Sequence, residues 1–171
     1  MWSYDFVFDA TMDGRALKLM PVVDEFTRQV LSIIVDRKIN STQVLDEMLR
    51  LIDLHGPPTC IHSDNGSEFI AKKLVKQFET RGIETLHIAP GSPWENGYCE
   101  SFIGKLEDEL LDREWLGNLT EARVLIERQR RHHNEERPHS SLNYMTPNEF
   151  ADTLTNNRPR PRPDKREERS D

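Results

Sequence analysis

Cysteine is scarce in these 171 residues: there are two, Cys60 and Cys99. Two thiols make no disulfide framework, and no CxxC pair or His/Cys metal spacing is present, so a reducing, cytoplasmic setting is expected. Long apolar runs are missing too. No stretch approaches the roughly 18 residues a membrane span needs. Met1-Trp2-Ser3-Tyr4-Asp5 lacks a basic stretch followed by an apolar run, so no secretory leader is expected. A basic excess is absent as well: 23 Lys and Arg face 30 Asp and Glu, net −7. That balance argues against a non-specific nucleic-acid coat, although the charge is unevenly placed. Residues 1–120 carry net −8 and residues 121–171 net +1. There is no GxSxG elbow, and the adjacent His62-Ser63-Asp64 cannot form a hydrolase triad.

What is present reads as an α/β chain. An extended segment begins at Phe6-Val7-Phe8, and Asp13-Gly14 signals a hairpin turn. A second strand covers Leu17 to Val23, with Pro21 marking an edge or a bulge. A third covers Val30 to Val35. A helix follows, capped by Asn40 or Ser41, with Val44, Leu45, Met48, Leu49 and Ile52 at helical spacing. Thr59 to His62 is a strand ending at the turn Ser63-Asp64-Asn65-Gly66, in which Asn65 and Gly66 shape the presentation of Asp64. The next helix turns Leu74, Val75 and Phe78 inward, and Gly82 stands past its end. Thr85 to Ile88 is a fifth strand. Ser92-Pro93-Trp94-Glu95 carries a capping box for a helix expected to run to about Trp115, and a final helix spans Thr120 to Asn134. The order predicts a five-stranded mixed sheet flanked by helices. Residues 1–150 form the core, and residues 151–171 a polar, disordered C-terminal tail.

Three carboxylates fall where such a fold would hold them: Asp5 in the first strand, Asp64 at the end of the fourth, Glu100 two turns into the capped helix. Thirty-five residues separate Asp64 from Glu100, enough for a helix, a strand and a turn to bring the chain back. Converging carboxylates repel one another unless divalent cations neutralise them. Hard oxygen ligands suit Mg²⁺, and two such ions about 4 Å apart serve in-line phosphoryl displacement. Asp9 shares a strand face with Asp5 and is an equal rival on pattern alone, while Asp24 reads as a strand-end turn residue. Gly97 and Gly104 lie one turn either side of Glu100. Each costs roughly 1 kcal/mol in a helix interior. Either they leave a bare patch for close backbone approach, or they allow tight helix–sheet packing.

Three motifs together resemble one family. Trp2-Ser3-Tyr4-Asp5, Ser63-Asp64-Asn65-Gly66-Ser67-Glu68-Phe69 and Pro93-Trp94-Glu95-Asn96-Gly97-Tyr98-Cys99-Glu100-Ser101-Phe102 resemble the catalytic core of bacterial insertion-sequence transposases of the OrfB type. That core is similar to retroviral integrase and has the ribonuclease-H-like fold. His133-Asn134-Glu135-Glu136-Arg137-Pro138-His139-Ser140-Ser141-Leu142 resembles its closing motif, although Tyr often stands where this chain has His133, and Gly where it has Asn143. The resemblance favours Asp5 over Asp9. It implies that Asp5, Asp64 and Glu100 are a DDE triad holding two Mg²⁺ or Mn²⁺ ions. It implies 3′-end nicking followed by strand transfer, which needs no Ser, Tyr or Cys nucleophile. The implied partners are DNA (transposon ends and target) and further copies of the chain. Members usually carry an upstream helix-turn-helix region, absent from this sequence and expected elsewhere.

Other residues carry two readings. Lys105, Arg128, Arg130 and Arg131 are candidate phosphate contacts, or an ordinary solvated helix face. His132 and His133 read as solvated or capping residues, and Cys99 as a small buried one. Two rival functions remain to be separated by experiment: a non-catalytic remnant that binds DNA or a transposase, and a ribonuclease-H-type nuclease.

Overall fold

The structure, a computed structural model, describes residues 1–63, 68–87 and 97–156. Its strands are β1 (Trp2–Tyr4), β2 (Val7–Ala10), β3 (Ala16–Asp24), β4 (Val30–Asp36), β5 (Cys60–Ser63) and β6 (Glu84–His87). The helices are α1 (Ser41–His55), α2 (Glu68–Glu79), α3 (Gly97–Leu106), α4 (Leu119–Glu135) and α5 (Pro147–Asn156).

β1 and β2 are one line of chain. Both pair antiparallel with β3 in a single register, Tyr4 opposite Val22 and Val7 opposite Leu19. The five expected lines therefore appear as six strands, because the first breaks at Asp5-Phe6. Continuing the register puts Asp5 opposite Pro21, which has no N–H to offer a ladder. The Phe6 N–H instead donates to Asp5 Oδ1 at 2.7 Å. Pro21 itself does not sit at an edge. β3 runs through it with β1 and β2 on one side and β4 on the other, and the bulge lies at Val22/Val23. β5 adds parallel to β1, and β6 parallel to β5, making the sheet mixed.

Alternation along the strands divides the core in two. Trp2, Tyr4, Met20, Val22 and Ile61 pack with Val44, Met48 and Leu51 of α1 and Leu74 and Phe78 of α2. Val7, Leu17, Leu19 and Val23 pack on the other face with Cys99, Phe102 and Leu106 of α3 and Ala122 and Ile126 of α4. Helices thus cover both faces, as the pattern predicts.

Local signals set the helix ends. Asn40 caps α1, accepting from the N–H groups of Thr42 and Gln43, while the Gln43 side chain accepts from the Asn40 N–H. Asn118 caps α4 through the Glu121 N–H. The stretch expected to be one helix to Trp115 is shorter: α3 ends at Leu106, a π-helical turn covers Glu107–Leu111, and Trp115 is exposed. α5 is not expected from the sequence, yet Thr146-Pro147-Asn148-Glu149 carries its signature. Thr146 Oγ1 accepts from the Glu149 N–H, and Glu149 Oε2 from the Thr146 N–H. α5 takes the described chain past the expected boundary at 150, and residues 157–171 lie outside the described residues.

β4 is an edge strand, and α4 closes it with side chains. Asn134 Oδ1 accepts from the Val30 N–H and Nδ2 donates to the Val30 carbonyl, each at 2.9 Å. Arg130 donates to the same carbonyl, and Arg123 to that of Val35. No described helix is long and apolar enough to cross a membrane.

Candidate active site

Strand parity puts Asp5 on the α3 side. Trp2 and Tyr4 face α1 and α2, Val7 faces α3 and α4, and Asp5 shares the parity of Val7. α3 packs on β1 and β3 there. Cys99, fully buried, belongs to the core on that face. Burial raises its thiol pKa, and the charges of Asp5, Glu25 and Glu100 raise it further. Three carboxylates from a strand end, a turn and a helix therefore act on one buried sulfur. Asp5 is half-buried and Glu100 is exposed.

Asp64, Asn65 and Gly66 lie outside the described residues, as do Ile88 and the Ser92-Pro93-Trp94-Glu95 cap. Asp64 follows Ser63, which pairs in the parallel ladder with Tyr4, the residue before Asp5. The Ser63 side chain hydrogen-bonds buried Tyr4. Burial raises the Tyr4 pKa, the Ser63 bond opposes this, and the Asp5 charge adds to it.

Gly97 and Gly104 flank Glu100 on an open surface. No described atom stands within 4 Å of where a Cβ would project from either. Of the two readings, the bare patch fits and tight packing does not. Asp9 accepts from the Ala10 N–H, and Asp24 from the N–H groups of Phe26 and Thr27, a turn role.

The sequence does not single out Glu25. It is buried at 6% exposure, and its Oε1 lies 3.1 Å from His62 Nδ1. His133 also departs from expectation, being 6% exposed rather than solvated. Its Nε2–H donates to the Arg28 carbonyl at 3.1 Å, and its ring stands edge-on to Phe102 at 5.0 Å. An aromatic ring thus remains where relatives of the closing motif often have Tyr. Asn143 adopts φ +54, the left-handed conformation that Gly or Asn best tolerates.

Burial drives the His133 pKa down to about 4. The unfolded chain then binds more protons between about pH 6.5 and pH 4, so stability is complete above 6.5 and falls as pH drops through that window. About 2 kcal/mol should be lost between pH 7 and pH 5. Urea denaturation at both values, with His133→Tyr removing this part of the loss, checks it.

The four expected phosphate contacts are placed differently. Lys105 borders a cavity beside α3. Arg128 is exposed on α4. Arg131 is exposed and pairs with Glu135. Arg130 is committed to Glu127 and the Val30 carbonyl. Glu109, from the acidic run after α3, is held by Arg137 and Gln129.

Among the described residues no three metal-binding side chains cluster. The donors at hand are nevertheless carboxylate oxygens. Glu100 has no described hydrogen-bond or ion-pair partner, although negative charge converges beside it on Cys99. Carboxylate oxygens are hard donors of the kind Mg²⁺ and Mn²⁺ take.

Two models, both described as an integrase core domain, match residues 1–93 and 81–147. A protein of insertion element IS407 from Burkholderia multivorans is 40% identical over 151 residues, covering 88% of this chain and 54% of that protein. A protein of insertion element IS476 from Xanthomonas euvesicatoria is 41% identical over 150 residues, 88% of this chain and 43% of that protein. The chain thus spans about half the length of these relatives. The HTLV-2 integrase catalytic core domain in complex with magnesium (trimeric form) superposes with a TM-score of 0.61 at 21% identity, covering 87% of this chain and 93% of that one. The fold is the ribonuclease-H-like fold of such cores.

Proposed function

Because the chain belongs to the integrase core domain family, we propose that it nicks and joins DNA strands in transposition, by metal-dependent phosphoryl transfer at Asp5, Asp64 and Glu100. The observation that carries this reading is that Asp5 lies on the sheet face covered by α3, the helix of Glu100, with Asp64 next in sequence after the strand that pairs with β1. Two Mg²⁺ or Mn²⁺ ions held by the three carboxylates would activate the attacking oxygen and stabilise the leaving one. The carboxylates themselves fix where phosphate charge can be tolerated in an acidic chain. The bare glycine patch lets a sugar–phosphate backbone lie against α3. Joining two DNA ends calls for more than one copy of the chain, and a helix-turn-helix region outside this sequence would select those ends. The work is cytoplasmic, at the chromosome. Lys105, Arg128 and Arg131 are the phosphate contacts in this reading.

The test is an assay on paired DNA ends with Mg²⁺, with Mn²⁺ and with EDTA. Nicked and joined products should need the metal, and full activity in EDTA would sink the proposal. Metal binding without joining would mark a non-catalytic remnant, and preference for RNA–DNA hybrids a nuclease. Gly104→Ala separates stability from function. It should stabilise the helix by about 1 kcal/mol, since the new methyl meets open space. It should also slow strand transfer by crowding the backbone. A thermal melt and a rate measurement on one sample read both.

A further inference from the structure

Beside α3, bordering its core face at Phe102 and Val23, is a cavity of about 210 Å³. Its described lining includes Arg28, Lys105, His133 and His139 and the hydroxyl residues Ser101, Ser140 and Ser141, and no carboxylate. In a chain of net −7 that is unusual. Elsewhere Arg50, Arg123, Arg130, Arg131 and Arg137 each pair with a carboxylate. Arg28 and Lys105 have no such ion pair among the described residues.

Arg28 is also held in place. Arg28 sits in the β3–β4 turn at φ +64, a conformation costly for a side-chain-bearing residue. Its guanidinium carbon stacks 3.4 Å from the Tyr98 ring centroid, and its buried Nε has no partner. His139 Nε2 is likewise buried without a partner. Its ring is edge-on to His133 at 4.7 Å. Burial and the charges of Lys105, Arg137 and Arg28 lower the His139 pKa, so the field there is positive. Planar donors in a fixed fork match phosphate oxygens.

Position selects the source of that phosphate. At 100° per residue, Ser101, Lys105 and Tyr98 occupy the strip of α3 next to Gly97, Glu100 and Gly104. A strand laid along the glycine patch would run beside the strip that borders the cavity. We propose that Arg28, Lys105 and His139, with the hydroxyls of Ser101 and Ser140, form a phosphodiester subsite beside Glu100 that holds the nucleic-acid strand on which the site acts. This rests on the reading of Glu100 as part of a DNA-joining centre, and it gives the closing motif at His139-Ser140 a role in substrate grip.

The experiment is metal-free binding of the 171-residue chain to a labelled DNA duplex across a salt series, with melting temperatures recorded for every variant. Arg28→Gln and Lys105→Gln should each lower the slope of log K against log salt by about one. Arg28→Lys should restore the slope. An RNA duplex that gives the same losses supports phosphodiester recognition. Inorganic phosphate should move the His139 ring resonances and compete with DNA. Unchanged slopes in both charge-removing variants overturn the subsite, as does phosphate binding that leaves DNA affinity untouched. Metal-dependent cleavage is assayed separately. Slope losses without cleavage keep the subsite and sink the catalytic reading, and cleavage with unchanged slopes does the reverse.

Discussion

Glu100→Gln is expected to reduce nicking and strand transfer by at least about 10³-fold, with little change in stability. The side chain is exposed and holds no described partner, so its loss breaks no packing and no ion pair. Gln and Glu have nearly equal helix propensity, which keeps α3 intact. What changes is one negative charge on an oxygen donor. A neutral amide binds a hard divalent cation poorly, and the several kcal/mol of charge stabilisation at the transferring phosphate go with it. Asp64→Asn should act alike. Titration calorimetry with Mg²⁺ or Mn²⁺ should show weakened metal binding in step with activity. Near-normal turnover of Glu100→Gln, with its melting temperature unchanged, would remove Glu100 from the centre.

The faces taken by Asp5 and Glu100 were legible because they depend on local rules. Strand alternation sets the face of Asp5, and the helical phase of Cys99 and Phe102 sets the side on which Glu100 emerges. The break at Asp5-Phe6 was half legible: Pro21 marks an interrupted ladder, but which strand would yield depends on register, a property of two segments. α5 was available in its Thr146-Glu149 capping box, though its short apolar content hides it. His133 lies in the polar run 128–137, whose composition argues for solvent, and only its tertiary neighbours Phe102, the Arg28 carbonyl and His139 bury it. The basic residues at 28, 105 and 139 were not legible as a group. They belong to a turn, a helix and a loop, and no periodicity links positions so far apart.

The second large effect is on stability. Asn134→Ala should cost about 3 kcal/mol, because the side chain does the work of a missing strand. It exchanges two hydrogen bonds with Val30, as a paired strand residue would, and both partners are buried. The two bonds are not equal. The Val30 carbonyl keeps a second donor in Arg130 when Asn134 is lost, whereas no other described bond serves its N–H. The penalty therefore comes mostly from one orphaned donor, about 1–3 kcal/mol, plus the space vacated in a closed interior. Arg130→Ala should cost far less, near the roughly 1 kcal/mol of an ordinary bond, since Asn134 still serves that carbonyl. Asn134→Asp tests the same logic from the other side. It keeps the acceptor for the N–H and sets a carboxylate against the carbonyl, so its deficit should shrink as the pH falls toward the Asp pKa and the protonated oxygen becomes a donor. Urea midpoints for Arg130→Ala and then Asn134→Ala should fall in that order below wild type. Equal losses would mean that α4 packs on β4 through its apolar side alone. His133 is next in the chain, and its ring touches Phe102 on α3. A loosened Asn134 should therefore reach Glu100 through that contact and depress strand transfer at temperatures where most of the protein is still folded.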